Sequence, residues 1–326
     1  MEILLANHGS YPRIGDAPEL QRHRRAYAQL ERREITENDF RRVEDEVTAE
    51  VIREQVTSGL DVVTDGQIRW YDPYSHFARG FDGIEINGLL RYFDTNVYFR
   101  QPVVRGRVAR RGPILLPEFE FARSVSLKPI KQALTGPYTL ARGSIIKGGY
   151  RTVRELTLAY TEALALEVED LARAGARWIQ VDEPALLSHP EDVELVRDAV
   201  EQLARAKGTT QLILATSFGD VTPLYEELQT FHVDFLALDF TYSPKLPRLI
   251  QERGTTRGLC LGLVDARNTR LETEEQVFRV LDMVLPKIRG IVHMGPSCGL
   301  EFLPRDRAYA KLQNLKALRD AYVARV

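Results

Sequence analysis

The chain has 326 residues and a formal net charge of -2, so it has no global attraction for nucleic acid or anionic lipid, and a neutral or zwitterionic small molecule is the easier partner. No apolar run approaches the roughly 20 residues needed to span a bilayer, and the opening Met1-Glu-Ile-Leu-Leu-Ala-Asn7 lacks the basic-then-apolar order of a secretion signal. A cytoplasmic protein is expected; its 2 cysteines, Cys260 and Cys298, form neither a disulfide framework nor a C-x-x-C motif.

Short apolar runs alternate with longer amphipathic stretches, the pattern of β-α units around a parallel sheet. Strands are expected at 3–10, 62–66, 128–136, 178–183, 212–217, 235–240, 258–265 and 290–295. A helix should open at Thr36, capped with Asp39, and run through Phe40, Val43, Val47 and Val51. Another carries Val153, Leu156, Tyr160, Leu164, Val168 and Leu171 and stops at Gly175, and a last one carries Tyr309, Leu312, Leu315, Leu318 and Tyr322. Between 77 and 126 the rhythm breaks into aromatic, Arg- and Gly-rich sequence that reads as β-hairpins inserted after the second strand. No linker divides the chain, so 1–326 is expected to form a single α/β domain, a (β/α)8 TIM barrel with that hairpin excursion. An open doubly wound sheet would prefer G-x-G-x-x-G after its first strand, where this chain has His8-Gly-Ser-Tyr-Pro-Arg13.

In a parallel barrel the residues that reach a substrate sit at the carboxyl ends of the strands. Here those ends hold His8, Ser10 and Arg13; Asp65, Gln67, Arg69 and Trp70; Asp182 and Glu183; Thr216 and Ser217; Asp239; Asp265 and Arg267; and His293, Ser297 and Cys298. The adjacent carboxylates of Asp182 and Glu183 are costly to bury without cations or donors. Either they meet a ligand ammonium, or Glu183 pairs with an arginine while Asp182 caps a turn. Ser10 and Thr135-Gly-Pro-Tyr-Thr139 fit ordinary turn chemistry as well as a pocket lining. Trp70 is either a flat wall for a ligand or plain packing.

Gly9-Ser-Tyr-Pro-Arg13, Asp65-Gly-Gln67, Leu134-Thr-Gly-Pro137, Asp182-Glu-Pro-Ala-Leu186 and Pro296-Ser-Cys-Gly-Leu300, in that order, resemble the catalytic C-terminal barrel of cobalamin-independent methionine synthase over nearly the whole chain. The resemblance is to the short, single-barrel "core" type. It implies a methyltransferase of methionine biosynthesis acting on the sulfur of homocysteine or a related thiol. The donor implied is methyltetrahydrofolate, or methylcobalamin on a corrinoid protein partner. In the family a zinc ion holds the homocysteine thiolate through a His-x-Cys pair, a Glu and a Cys. Carried over, these positions fall on Ala215, Ser217, Asp239 and Cys298, a degraded zinc site in which Asp239 and Cys298 are the remaining candidate ligands and His293 a substitute. The resemblance further implies substrate binding by Ser10, Gln67, Asp182 and Glu183, and catalysis at Cys298, Asp239, Ser217 and Arg267, the last standing where full-length enzymes have a proton-donating His. Loss of ligands also fits two alternatives: a barrel of the same superfamily repurposed to other thiol alkyl transfer or decarboxylation, or a non-catalytic accessory protein that holds an amino acid or a corrinoid.

Overall fold

A computed structural model describes residues 2–325. Its strands are β1 (Glu2–Leu5), β2 (Phe81–Arg91), β3 (Tyr98–Arg110), β4 (Lys131–Thr135), β5 (Ile145–Ile146), β6 (Trp178–Asp182), β7 (Gln211–Thr216), β8 (Phe235–Asp239), β9 (Gly258–Val264) and β10 (Ile291–Pro296). Seven of them form one curled parallel sheet in the order β1-β10-β9-β8-β7-β6-β4. Its two edges, β1 and β4, both meet the segment 62–66, through parallel bridges Ala6↔Val62, Ser10↔Gly66 and Val63↔Ile130. Helices separate successive strands and pack outside, as the handedness and length of parallel connections require.

Local sequence explains these elements. Thr36 caps the helix Glu37–Thr57 with a reciprocal box: its hydroxyl accepts from the Asp39 N–H, and the Asp39 carboxylate accepts from the Thr36 N–H at 3.1 Å. Phe40, Val47 and Val51 of that helix are buried. The helix Val153–Arg173 buries Leu156, Tyr160, Leu164, Val168 and Leu171, and the chain leaves it through Gly175 at φ 84°. The closing helix Arg305–Arg325 buries Leu312, Leu315, Leu318 and Tyr322. No helix among the described residues is long and apolar enough to cross a membrane.

The excursion is more mixed than the sequence pattern suggested. β2 and β3 pair antiparallel, and β3 pairs in parallel with β5, a short strand beyond the expected limits of the insertion. The helix Leu116–Val125 follows within the insertion, with Pro117 in its first turn and Phe119 and Ala122 buried. Its apolar period is too short to stand out from the surrounding aromatic sequence. The hairpin turn brings Tyr92 and Phe93 against Phe218, at 5.6 and 5.3 Å between ring centroids, and Phe218 meets Phe302 at 5.8 Å. These rings come from the insertion, the end of β7 and the segment after β10, and together they roof the barrel mouth.

Candidate active site

Beneath that roof is a small cavity lined by His8, Ser10, Gln67, Trp70, Thr135, Asp182, Ser217, Cys298 and Glu301, with Tyr92, Phe218 and Phe302 above. The lining residues come from separate strand ends, which ring closure brings to one mouth. Two of them sit on strained backbone: Gln67 at φ 53° and Phe218 at φ 66° are non-glycine residues in the left-handed region, as is Phe93 at φ 46°. Such strain concentrates where surrounding structure holds a side chain in place for use.

Asp182 is the centre of the cavity's charge. Its Oδ1 accepts from Gln180 Nε2 at 2.7 Å, and His8 Nε2 stands 3.7 Å away. Burial raises its pKa to about 7, opposed by the Gln180 hydrogen bond and the positive charge of Lys131. Burial also drives His8 down to about 3, so that imidazole is neutral at physiological pH. Glu301 is raised by burial to about 7, and its Oε2 has no hydrogen-bond partner. The Ser10 hydroxyl is equally buried and unpartnered. Gly299 permits this crowding, since a Cβ there would lie 2.0 Å from Ser10 Oγ and 2.2 Å from Glu301 Oε2.

Cys298 is 1 % exposed, and burial pushes its thiol well above the usual range, with Arg267 pulling it back and Asp239 and Glu301 raising it further. The side chain is therefore a protonated thiol at neutral pH. Ser217 shares the cavity with it.

Four sequence-derived site residues stand elsewhere. Glu183 is fully buried below the mouth, where its carboxylate accepts from the Tyr138 N–H (2.9 Å), the Thr139 N–H (2.8 Å) and the Thr139 hydroxyl (2.6 Å). It thus caps the helix Pro137–Gly143; Gly136 makes the approach possible, since a Cβ there would fall 2.2 Å from Glu183 Cδ. The pair of acids divides its work: Asp182 faces the cavity, and Glu183 is structural. Asp239 is also fully buried and does not line the cavity. Its Oδ1 accepts from the Thr241 N–H and hydroxyl and the Tyr242 N–H, and its Oδ2 faces Arg267 Nη2 at 3.3 Å. Arg267 in turn lies over the Tyr242 ring at 3.6 Å, donates to Thr241 Oγ1 at 2.8 Å, and leaves Nη1 buried without a partner. His293 lies deep in the barrel against Trp178 and Phe235, at 5.4 and 5.0 Å between ring centroids. Trp178 and Phe235 begin their strands, so His293 belongs to the lower layer of the barrel and does not share the Cys298 cavity. Alternation along β10 turns it inward, one layer below the mouth.

Other residues become visible only in three dimensions. Lys131 is fully inside the barrel, with Nζ donating to Gln180 Oε1. A lysine inside the expected strand 128–136, between Ile130 and Gln132, was its only signal. Tyr92, Phe218, Glu301 and Phe302 reach the mouth from loops whose sequence carries no motif. Trp70 does form a cavity wall, anchored by its indole N–H to Glu118 Oε2 at 3.0 Å and stacked on His76.

The donor set does not fit a tetrahedral zinc site. Ala215 has no donor and packs with Ile213, Phe235 and Ala237; Ser217 offers a hydroxyl; Asp239 is already saturated by three hydrogen bonds and a guanidinium.

Residues 8–320 match the family model described as the cobalamin-independent synthase catalytic domain. The methionine synthase of Saccharolobus solfataricus is 31% identical over 315 residues, covering 94% of this chain and 91% of that protein. The methionine synthase of Sulfurisphaera tokodaii is 32% identical over 312 residues, covering 94% and 88%. Among solved structures, a B12-independent methionine synthase from Shewanella superposes with a TM-score of 0.79 at 20% identity, covering 99% of this chain and all of that one, and so shares the fold. With matching motifs, fold and near full-length coverage, the chain belongs to the cobalamin-independent methionine synthase family and is a methyltransferase-type enzyme of that catalytic domain.

Proposed function

We propose that the chain methylates the sulfur of homocysteine or a closely related amino-acid thiol, and that residues 1–326 act as one catalytic unit, a (β/α)8 barrel in which segment 62–66 is the eighth stave. The observation that carries this reading is the placement of Asp182. It is a cavity-facing carboxylate with no direct cationic partner, in the same small space as Ser10, Ser217 and Cys298. A substrate ammonium supplies the missing charge through a charge-assisted hydrogen bond. The unpartnered Ser10 hydroxyl, with Gln67 beside it, then serves the amino-acid end. The side chain extends toward Ser217 and Cys298.

At the sulfur end the roles fall to this chain's own groups. Cys298, held as a thiol, donates S–H to the substrate sulfur, and Ser217 offers a second donor. Arg267 places a positive charge behind Cys298, restrained by Asp239 and by stacking on Tyr242. Tyr92, Phe218 and Phe302 exclude water and strengthen these interactions. In the family zinc supplies Lewis-acid activation of the thiol; here the donors do not fit it, and no step is assigned to it.

The test combines calorimetric titration of homocysteine and methionine with a transfer assay offering methyltetrahydrofolate or methylcobalamin as donor. Binding of both amino acids, with methionine formed from one donor, is expected. Binding of a desamino carboxylate with no binding of either amino acid would overturn the proposal and favour a repurposed barrel.

A further inference from the structure

The cavity floor holds a feature that the amino-acid reading does not require. Lys131 on β4, Gln180 and Asp182 on β6 form a continuous chain: Lys131 Nζ donates to Gln180 Oε1, and Gln180 Nε2 donates to Asp182 Oδ1 at 2.7 Å. Lys131 is 3 % exposed and Gln180 fully buried, so neither finds water to replace these partners. A lysine ammonium has three donors and no acceptor, whereas a side-chain amide has one end of each kind. The lysine therefore fixes which way the amide points: the oxygen must face Lys131, and the NH₂ must face Asp182. An N–H donated to the Asp182 carboxyl favours its ionised form, the stronger acceptor, and so works against the burial that raises it.

We infer that Lys131 is a positioning residue that acts through Gln180 to keep Asp182 ionised and aimed for the ammonium of the ligand. This deepens the proposed function and rests on its assignment of Asp182. The arrangement solves a specific difficulty. A carboxylate that must greet an ammonium cannot keep a cation in direct contact, because that cation would compete with the ligand. A cation one amide away stabilises the charge and leaves the cavity-facing oxygen free.

The neighbouring titratable groups leave this task to Lys131. His8, beside Asp182, is lowered by burial and then by Lys131 to about 3, and His293, facing the lysine from β10, is lowered to about 3 for the same reasons. Cys260 on β9 is raised by burial to about 12 and stays a neutral thiol. Glu301, Glu183 and Tyr92 near Asp182 are acids, and the two carboxyls oppose its ionisation when charged. Lys131 itself, drawn down by burial to about 8, remains protonated at neutral pH.

Two measurements test this on the whole protein. The first follows the Asp182 carboxyl by carbon NMR against pH, its resonance identified by its loss in Asp182→Asn, in wild type and in Lys131→Met. The titration midpoint should move up by about one unit or more in the variant. The second titrates methionine at several pH values between 6 and 8.5. Affinity in Lys131→Met should fall about fivefold or more near pH 7, fall further toward pH 6 and recover toward pH 8.5, while the desamino analogue binds both proteins alike. If Lys131→Met does not fold, Gln180→Leu cuts the chain and keeps the lysine, and it should move the midpoint in the same direction. An unmoved carboxyl midpoint in a folded variant overturns the inference. Methionine affinity that Asp182→Asn leaves unchanged overturns the ammonium reading, an outcome the NMR arm reads separately.

Discussion

Arg267 Nη2 lies 3.3 Å from Asp239 Oδ2, and its guanidinium also lies 3.6 Å from the centre of the Tyr242 ring and 5.7 Å from that of Phe218. Asp239 is fully buried and the Arg267 side chain only 13 % exposed, so the two charges depend on one another. Removing one partner of a buried pair typically costs about 3 to 5 kcal/mol, because the other is left uncompensated. Arg267→Met should lower stability by that order in urea unfolding. Adding Asp239→Asn should restore a good part of it, since the amide keeps the Thr241 and Tyr242 contacts without the charge. A double variant as unstable as the single one would show that Arg267 contributes packing alone.

Much of this architecture is legible in the chain because it is local. Each expected barrel strand falls on an observed strand or, for 62–66, on the bridged segment, and the Thr36 and Asp39 box sets a helix start within one turn. The motif positions Ser10, Gln67, Asp182, Ser217 and Cys298 meet in one cavity. What the sequence hides depends on partners distant along the chain. Glu183 looks identical in kind to Asp182 until Thr139 and Tyr138 arrive from the preceding unit to occupy it. Lys131 gains its role from Gln180, 49 residues away. His293 reads as a strand-end residue because the expected strand, 290–295, stops two residues beyond it, whereas β10 runs on to Pro296 and leaves His293 in its middle, below the mouth.

His293 gives a pH signature. Both ring nitrogens lack partners, and burial holds its pKa near 3, against 6.5 when free. Because the folded value is depressed, the unfolded chain takes up a proton below 6.5 that the folded protein refuses. Stability is therefore unaffected above 6.5 and falls as pH drops toward 3, by up to about 1.4 kcal/mol per pH unit. His293→Leu should make the fall of unfolding free energy between pH 6 and 4 shallower by about one proton. An identical slope in the two proteins would mean that His293 takes up its proton in the fold as readily as in the unfolded chain.

Asp182→Asn separates recognition from stability. The loss of a charge-assisted hydrogen bond should weaken methionine binding by roughly 1.5 to 3 kcal/mol. Stability should not suffer. With its folded pKa raised to about 7, Asp182 holds a proton that the unfolded chain releases between pH 4 and 7, so its ionisation costs stability as pH rises through that range. The variant should melt no lower than wild type at pH 8. A lower melting temperature there would mean that the carboxylate is needed for folding.

Gly299→Ala should damage the site and spare the barrel. The backbone there, at φ -58° and ψ 148°, is open to any residue, so the substitution carries no conformational strain. Its methyl would instead press on Ser10 Oγ and Glu301 Oε2 inside the cavity. Overpacking of this kind costs about 1 to 3 kcal/mol, borne mainly by the bound state if the two side chains must swing into ligand space. Calorimetry should show weaker methionine binding with a near-normal melting temperature. Full affinity would show that Ser10 and Glu301 do not contact the ligand.

The metal question can be tested by restoring the donors. Ala215 and Ser217 lie on and just beyond β7, Asp239 ends the neighbouring β8, and Cys298 follows β10, so the positions surround one end of the barrel. In the wild type, one position has no donor, one has a hydroxyl, and the carboxylate is committed to Arg267. The purified protein should therefore not retain stoichiometric zinc after dialysis against a chelator. Ala215→His with Ser217→Cys supplies an imidazole and a second thiolate, the ligand types that bind zinc strongly. Asp239 would still answer to the guanidinium, so the double variant should bind only weakly. Adding Arg267→Gln frees the carboxylate and removes a positive charge that opposes a dication. The triple variant should bind one zinc, and cobalt in its place should give the visible absorption of a tetrahedral thiolate site. Stoichiometric zinc surviving chelation in the wild type would sink the assignment of Arg267 as the resident cation of this pocket. A folded triple variant that binds no better than the double would show that Arg267 does not restrain Asp239.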